Sequence, residues 1–218
     1  MAQVDLDTIW LARGSHPGSG KGCLMEWVAV FAGLPKTDRP VCTNRLITSV
    51  AVHLNDTLDD ATRQRLRTLI PQVVQAGRTA HDSRIDRRLA VWCAGSVPPP
   101  QEGAHRSLHR AALEAATGYL DGLVSEERCR AAAAAAAEAG AQVRSVPLYL
   151  AADAAHAAVA DDPEPAVVNA VAGAVAWTVA QGEPVAWFRR LLAAHAEVRA
   201  AESGAGVATA MEVACCPA

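Results

Sequence analysis

The sequence predicts an all-α protein: a multi-helix bundle of Ala-rich helices behind an extended N-terminal arm. Three observations carry that reading. Apolar residues recur at helical spacing in one segment after another, most of them bracketed by capping and stop residues. The only strand-like alternation is the run VDLDTIWLA at Val4–Ala12, a short strand or an arm laid on helices. Hydrophobic residues make up 51% of the 218-residue chain but aromatic residues only 4%, because Ala supplies much of the apolar count. Ala is the best helix former and buries about a methyl's worth of surface. The core is therefore expected from closely approaching helices keyed by Trp10, Trp27, Phe31, Trp92, Trp177, Trp187 and Phe188.

After the arm, Arg13–Gly22 is a Gly/Ser/Pro loop, and the first helix begins near Gly22 or Cys23, reads CLMEWVAVFAGL and stops at Gly33 and Pro35. Lys36–Pro40 is a loop. A second helix at about Val41–Leu54 carries Leu46, Val50 and Leu54 at helical spacing, with Asn55-Asp56 as its closing turn. Asp59 or Asp60 caps a third, ATRQRLRTLIPQVVQ, which Gly77 closes and Pro71 kinks or splits. His81-Asp82-Ser83 offers an N-cap for RIDRRLAVWCA. Gly95–Gly103, with Pro98, Pro99 and Pro100, is the clearest linker.

SLHRAALEAATGYLDGL follows, then EERCRAAAAAAAEAG, capped by Ser125 and stopped at Gly140. PLYLAADAAHAAVA ends at Asp161-Asp162-Pro163, before EPAVVNAVAGAVAWTVAQG and EPVAWFRRLLAAHAEVRAAE. The expected organisation is a motif-bearing helical region at 1–95 and an Ala-rich helical region at 104–202 packed on it in one domain. Residues 203–218 are expected as a disordered tail.

A net charge of −3 gives no electrostatic reason to expect nucleic acid or an anionic membrane as partner. Pro165–Ala180 falls short of the roughly 20 apolar residues a bilayer requires and is interrupted by Asn169, so it reads as a buried helix. Met1–Asp7 has neither a basic n-region nor an apolar h-region. Six cysteines without a secretory signal are expected as thiols. The expected location is the cytoplasm.

Chemistry-bearing residues concentrate in 13–56. Gly14–Gly22 lies between an apolar run and a helix, as a phosphate loop would, but the spacing puts Ser15 where the first Gly belongs. Gly22 replaces the hydroxyl that would bind Mg²⁺. The stronger constellation is His16, Cys23, Glu26, Asp38 and Cys42, with Asp56 as a further member. Glu26 stands among Leu24, Met25, Trp27, Val28, Val30 and Phe31, so it is expected to be buried and to need a partner.

Three accounts of the constellation stay open. Glu26 is a first-turn carboxylate on the helix dipole. Alternatively, His16, Cys23 and Cys42 with a carboxylate hold a metal, with donor types suited to zinc. In the third, Cys23 is a nucleophile whose thiolate the helix start favours, with His16 and Glu26 assisting. Arg84, Arg87 and Arg88 with Asp86 read as a solvated charged face, and Cys93 and Cys129 as small core residues.

As a set, DLDTIWLARGSH, Gly22-Cys23-Leu24-Met25-Glu26, Ala32-Gly33, Asp38-x-Pro40-x-Cys42 and Asn55-Asp56 resemble the opening of a family of actinobacterial and actinophage proteins of no assigned activity. The resemblance covers about residues 4–95. It implies a shared fold and one site made of His16, Cys23, Glu26, Asp38 and Cys42. The function expected from all this is a protein-interaction or self-assembling helical module, with a protein partner or homo-oligomer. The alternative is an enzyme or metal-binding protein with a His/Cys/Glu site in residues 16–42.

Overall fold

A computed structural model describes residues 5–14, 20–80 and 82–204. Among them the chain is all-α, with ten α-helices and two short 3₁₀ turns. The residues divide into two compact units: Met1–Asp82 with Glu183–Ala218, and Ser83–Gly182. No described helix is long and apolar enough to cross a membrane.

In the first unit the arm begins with a 3₁₀ turn at Leu6–Thr8 and then runs extended. Its strand-like alternation finds no sheet. Leu11 makes an isolated parallel bridge with Gly22, and its amide and carbonyl are both satisfied by the side-chain amide of Gln64 (2.9 and 2.8 Å). Helix α1 (Leu24–Phe31) packs on α2 (Arg45–Thr57) and on α4 (Ile70–Gln75).

Helix α2 starts later and ends later than its sequence pattern suggests. Asn44 caps it, accepting from the Ile47 amide at 3.1 Å, so Val41–Thr43 stays outside. Asn55-Asp56 lies inside its last turn rather than closing it, because the Asn55 side chain is committed to the arm and to α1. The expected third helix is split, as Pro71 demands. Asp59 caps α3 (Asp60–Arg65), a 3₁₀ turn follows at Leu66–Leu69, and α4 carries Pro71 in its first turn, where no intrahelical N–H is required. An antiparallel bridge, Thr43 to Gly77, pins the start of α2 to the end of α4. The core holds Ile9, Leu11, Leu24, Met25, Val28, Ile47, Leu54, Leu66, Leu69 and Ile70, and α10 (Pro184–Gly204) adds the buried Trp187, Phe188 and Leu191.

The second unit contains nearly all of α5 (Asp82–Gly95) and the whole of α6 (Gly103–Leu120), α7 (Glu126–Val143), α8 (Val146–Val159) and α9 (Glu164–Ala180). Helix α8 packs on α6, α7 and α9 and is buried around most of its circumference, as its uniformly apolar sequence requires. The packing is small-on-small: Ala112, Ala116, Cys129, Ala136, Ala151 and Ala155 all lie in one cluster. Of the seven aromatic keys expected from the sequence, only Trp187 and Phe188 are fully buried, while Trp10 is exposed and the rest sit at the margins.

Gly140 does not stop α7. The helix continues to Val143 and ends at Arg144 in the left-handed region (φ 53°). Gly140 is instead a contact point, where an added Cβ would lie 3.3 Å from the Leu148 Cβ. The arginines of α5 are likewise not a merely solvated face. Arg87 donates to the carbonyls of Ala157, Ala158 and Ala160 (3.0, 2.7 and 2.8 Å) and closes the C-terminus of α8. Arg88 pairs with Asp121 at 2.9 Å and donates to the Leu120 carbonyl at the end of α6. Both follow the preference of helix C-termini for cations. Ser203 and Gly204 close α10, and the remainder of the expected tail, 205–218, lies outside the described residues.

Candidate functional site

The 13–56 block is built around the first turn of α1. Cys23 is the N-cap, with extended backbone (φ −72°, ψ 170°), and Glu26 is the third helical residue. The two form a reciprocal capping box: the Cys23 amide donates to Glu26 Oε2 at 2.7 Å, and the Glu26 amide donates to Cys23 Sγ at 3.4 Å. The box leaves Glu26 only 1% exposed. This is the first-turn account of Glu26, with a thiol in the place that Ser or Thr usually takes.

The same geometry bears on the thiolate expected of Cys23. Burial pushes the Cys23 thiol up to about 11, the Glu26 amide opposes that rise, and the Glu26 charge adds to it. A helix start favours a thiolate, but here the loss of water and, after it, the neighbouring acid oppose one.

The next amide, that of Leu24, donates to Asn55 Oδ1 at 3.0 Å. Asn55 Nδ2 in turn donates to the Ala12 carbonyl and to Asp56 Oδ1, and Asp56 Oδ1 also accepts from the Gly14 amide. Asn55 and Asp56 thus hold the arm and the start of α1 together. Arg63 supports them from α3. Its guanidinium, 2% exposed as a residue, donates to the Asn55 carbonyl at 2.6 Å, to the Leu58 carbonyl and to Asp60. Arg13 reaches the Leu58 carbonyl as well, at 3.1 Å. Lys36 donates to the Lys21 carbonyl and lies 6.0 Å from the centre of the Trp27 ring. Gly22 is required beneath that ring, since a Cβ there would stand 3.0 Å from Trp27 Nε1.

Of the residues singled out from the sequence, Cys23 and Glu26 are in direct contact, and Asp56 joins them through Asn55 and Leu24. Cys42 is buried as a free thiol beside Thr43 (3.9 Å between Sγ and Oγ1), and its carbonyl accepts from the Arg78 amide. Asp38 is half-buried in the loop between α1 and α2. His16 lies outside the described residues, so the set that includes it has no geometry to report. Among the described residues no three His, Cys, Asp or Glu side chains are placed to hold a metal ion.

Sequence reasoning missed Arg63 and Gln64 altogether. The available signal was Arg63 itself, three and seven residues before Leu66 and Ile70 on an apolar helical stripe. No family model, no curated protein and no solved structure matches the chain.

Proposed function

We propose that this protein is a helical interaction module that acts in the cytoplasm by associating with a second copy of itself, and that its 13–56 block is a structural clasp. The observation that carries the reading is what the polar residues of the block bind. Glu26 and Asn55 face backbone amides, Asn55 and Arg63 face backbone carbonyls, and Asp56 takes the Gly14 amide. Their work is to satisfy a buried helix start and a strandless arm, which would otherwise each carry orphaned backbone groups. Catalysis at Cys23 would need a thiolate, and its surroundings oppose one.

The contact surface belongs to the second unit. Val143, Val146 and Tyr149 are 47%, 43% and 41% exposed within seven residues at the α7–α8 corner. Val146 and Tyr149 share one face of α8, being three residues apart. A corner carried by every copy can meet its own image about a two-fold axis. Sedimentation velocity on untagged protein over a hundredfold concentration range tests the reading. A concentration-dependent dimer that Val146→Asp shifts to monomer is expected. Monomer at every concentration, or stoichiometric zinc bound to the purified protein and lost in Cys23→Ser, would overturn it in favour of a metal or catalytic site.

A further inference from the structure

The first unit carries a cleft that the clasp does not use. It is an open cleft of about 270 Å³ lined by Gln64, Arg65, Arg67, Thr68, Val185 and Arg189. These six residues bring three guanidinium groups and no carboxylate to one concavity, in a chain whose net charge is −3. We infer that this cleft binds the phosphate group of a small anionic ligand.

The local fold explains how the cations converge. The chain tightens to a 3₁₀ turn at Leu66–Leu69, directly after Gln64 and Arg65. Gln64 and Arg67, and likewise Arg65 and Thr68, are three residues apart across this junction, so they fall on neighbouring positions and make one wall of the cleft. Leu66 and Leu69 are buried in the core and hold that wall in place. Helix α10 supplies the other wall: Val185 and Arg189 are four apart, hence on one face, with Val185 buried at the base.

The polar groups sort themselves by what they have left to give. The Gln64 amide is spent on Leu11, and the Thr68 hydroxyl donates to the Arg65 carbonyl. Recognition therefore falls to the guanidinium groups, whose planar forks match a tetrahedral oxyanion in two-point contacts. Arg67 already shows this preference: it holds the Asp7 carboxylate at 3.2 Å and also reaches the Asp7 carbonyl. Asp7 is 87% exposed on its side chain, and exposed pairs of this kind are weak. Its carboxylate competes, weakly, for one of the three guanidinium groups of the cleft. The volume lies just under the roughly 300–1,000 Å³ of small-molecule sites, which suits a phosphate with a modest organic body.

Isothermal titration of the full chain with inorganic phosphate tests the site, with sodium chloride adjusted to hold ionic strength constant. One saturable site is expected. The double variant Arg65→Ala/Arg189→Ala should weaken it at least about tenfold, since each charged hydrogen bond removed is of that order. Both arginines are exposed, and far-UV circular dichroism verifies the fold. Asp7→Asn, which removes the competing carboxylate and leaves the core untouched, should tighten binding about two- to fivefold. Absence of a saturable site in the wild type would overturn the inference. So would an affinity unchanged in both the arginine variant and Asp7→Asn, because a general ion effect ignores all three residues. Neither result bears on dimerisation, which is read separately at the α7–α8 corner.

Discussion

Glu26 shows how little a residue's identity says about its role until its partners are known. A carboxylate in an apolar run invites a catalytic or metal-binding reading. Its bond to the Cys23 amide instead makes it the second half of a helix cap. Glu26→Ala leaves that buried amide without a partner, and a loss of about 1–3 kcal/mol is expected. Glu26→Gln keeps an oxygen acceptor for the Cys23 amide and loses the charge facing the helix start, for about 0.3–1 kcal/mol. Urea denaturation of the two variants verifies the order. A Gln variant as damaging as the Ala variant would point to a buried ionic network around Glu26.

At the scale of elements, the second unit depends on helices that approach closely enough for small residues to matter one by one. Gly173 on α9 is such a position: an added Cβ would fall 2.3 Å from Leu150 Cδ2, and Leu150 is itself buried in α8. Gly173→Ala gains about 1 kcal/mol of helix propensity and incurs about 1–3 kcal/mol of overpacking. The expected net is a loss of up to about 2 kcal/mol. Leu150→Val removes the clashing reach, so the double variant should be more stable than the sum of the singles by about 0.5 kcal/mol or more. Additive losses in denaturant titrations would show that α8 and α9 can separate at this point without cost.

At the scale of the whole molecule, buried titratable groups give the chain a pH profile with two limbs. His195 on α10 is held below its ordinary value of 6.5, first by burial and then by Arg199, with Asp82 opposing. His109 on α6 is lowered by burial, against a bond to the Ala94 backbone. Each is neutral when folded at a pH where the unfolded chain already takes up a proton. Their contribution is therefore complete above about pH 6.5 and is lost as pH falls from there through the lowered folded values. Cys23 works on the alkaline side: unfolded thiols ionise from about 9, the folded one near 11, so stability falls as pH rises across that interval. Burial raises Asp153, which opposes the histidines only from about 3.8 upward. Denaturation midpoints from pH 5 to 8 should fall on acidification, and His195→Leu should flatten that limb. An acid limb unchanged in His195→Leu and in a matching His109→Leu variant would show that other groups control it.

By itself the sequence determined what local physics decides. Helical periodicity, Ala content, the Ser125 and Asp59 caps and the Pro71 break all act within a few residues, so all-α class and most helix positions could be read directly. Glu26 as a first-turn carboxylate was legible for the same reason, as one of three readings, whereas the thiol of Cys23 as its capping partner was not. The surroundings of Cys23 became visible only in the tertiary structure, because a thiol's acidity depends on what else excludes water from it. Contacts across long sequence separations were equally invisible: Gln64 on Leu11, Asn55 on Ala12 and Leu24, Arg87 on the end of α8, and Arg189 beside Arg65 and Arg67. Asn55 does not close its helix, and Gly140 does not stop one: the Asn55 side chain is bonded to Leu24 and Ala12, and Gly140 lies against Leu148.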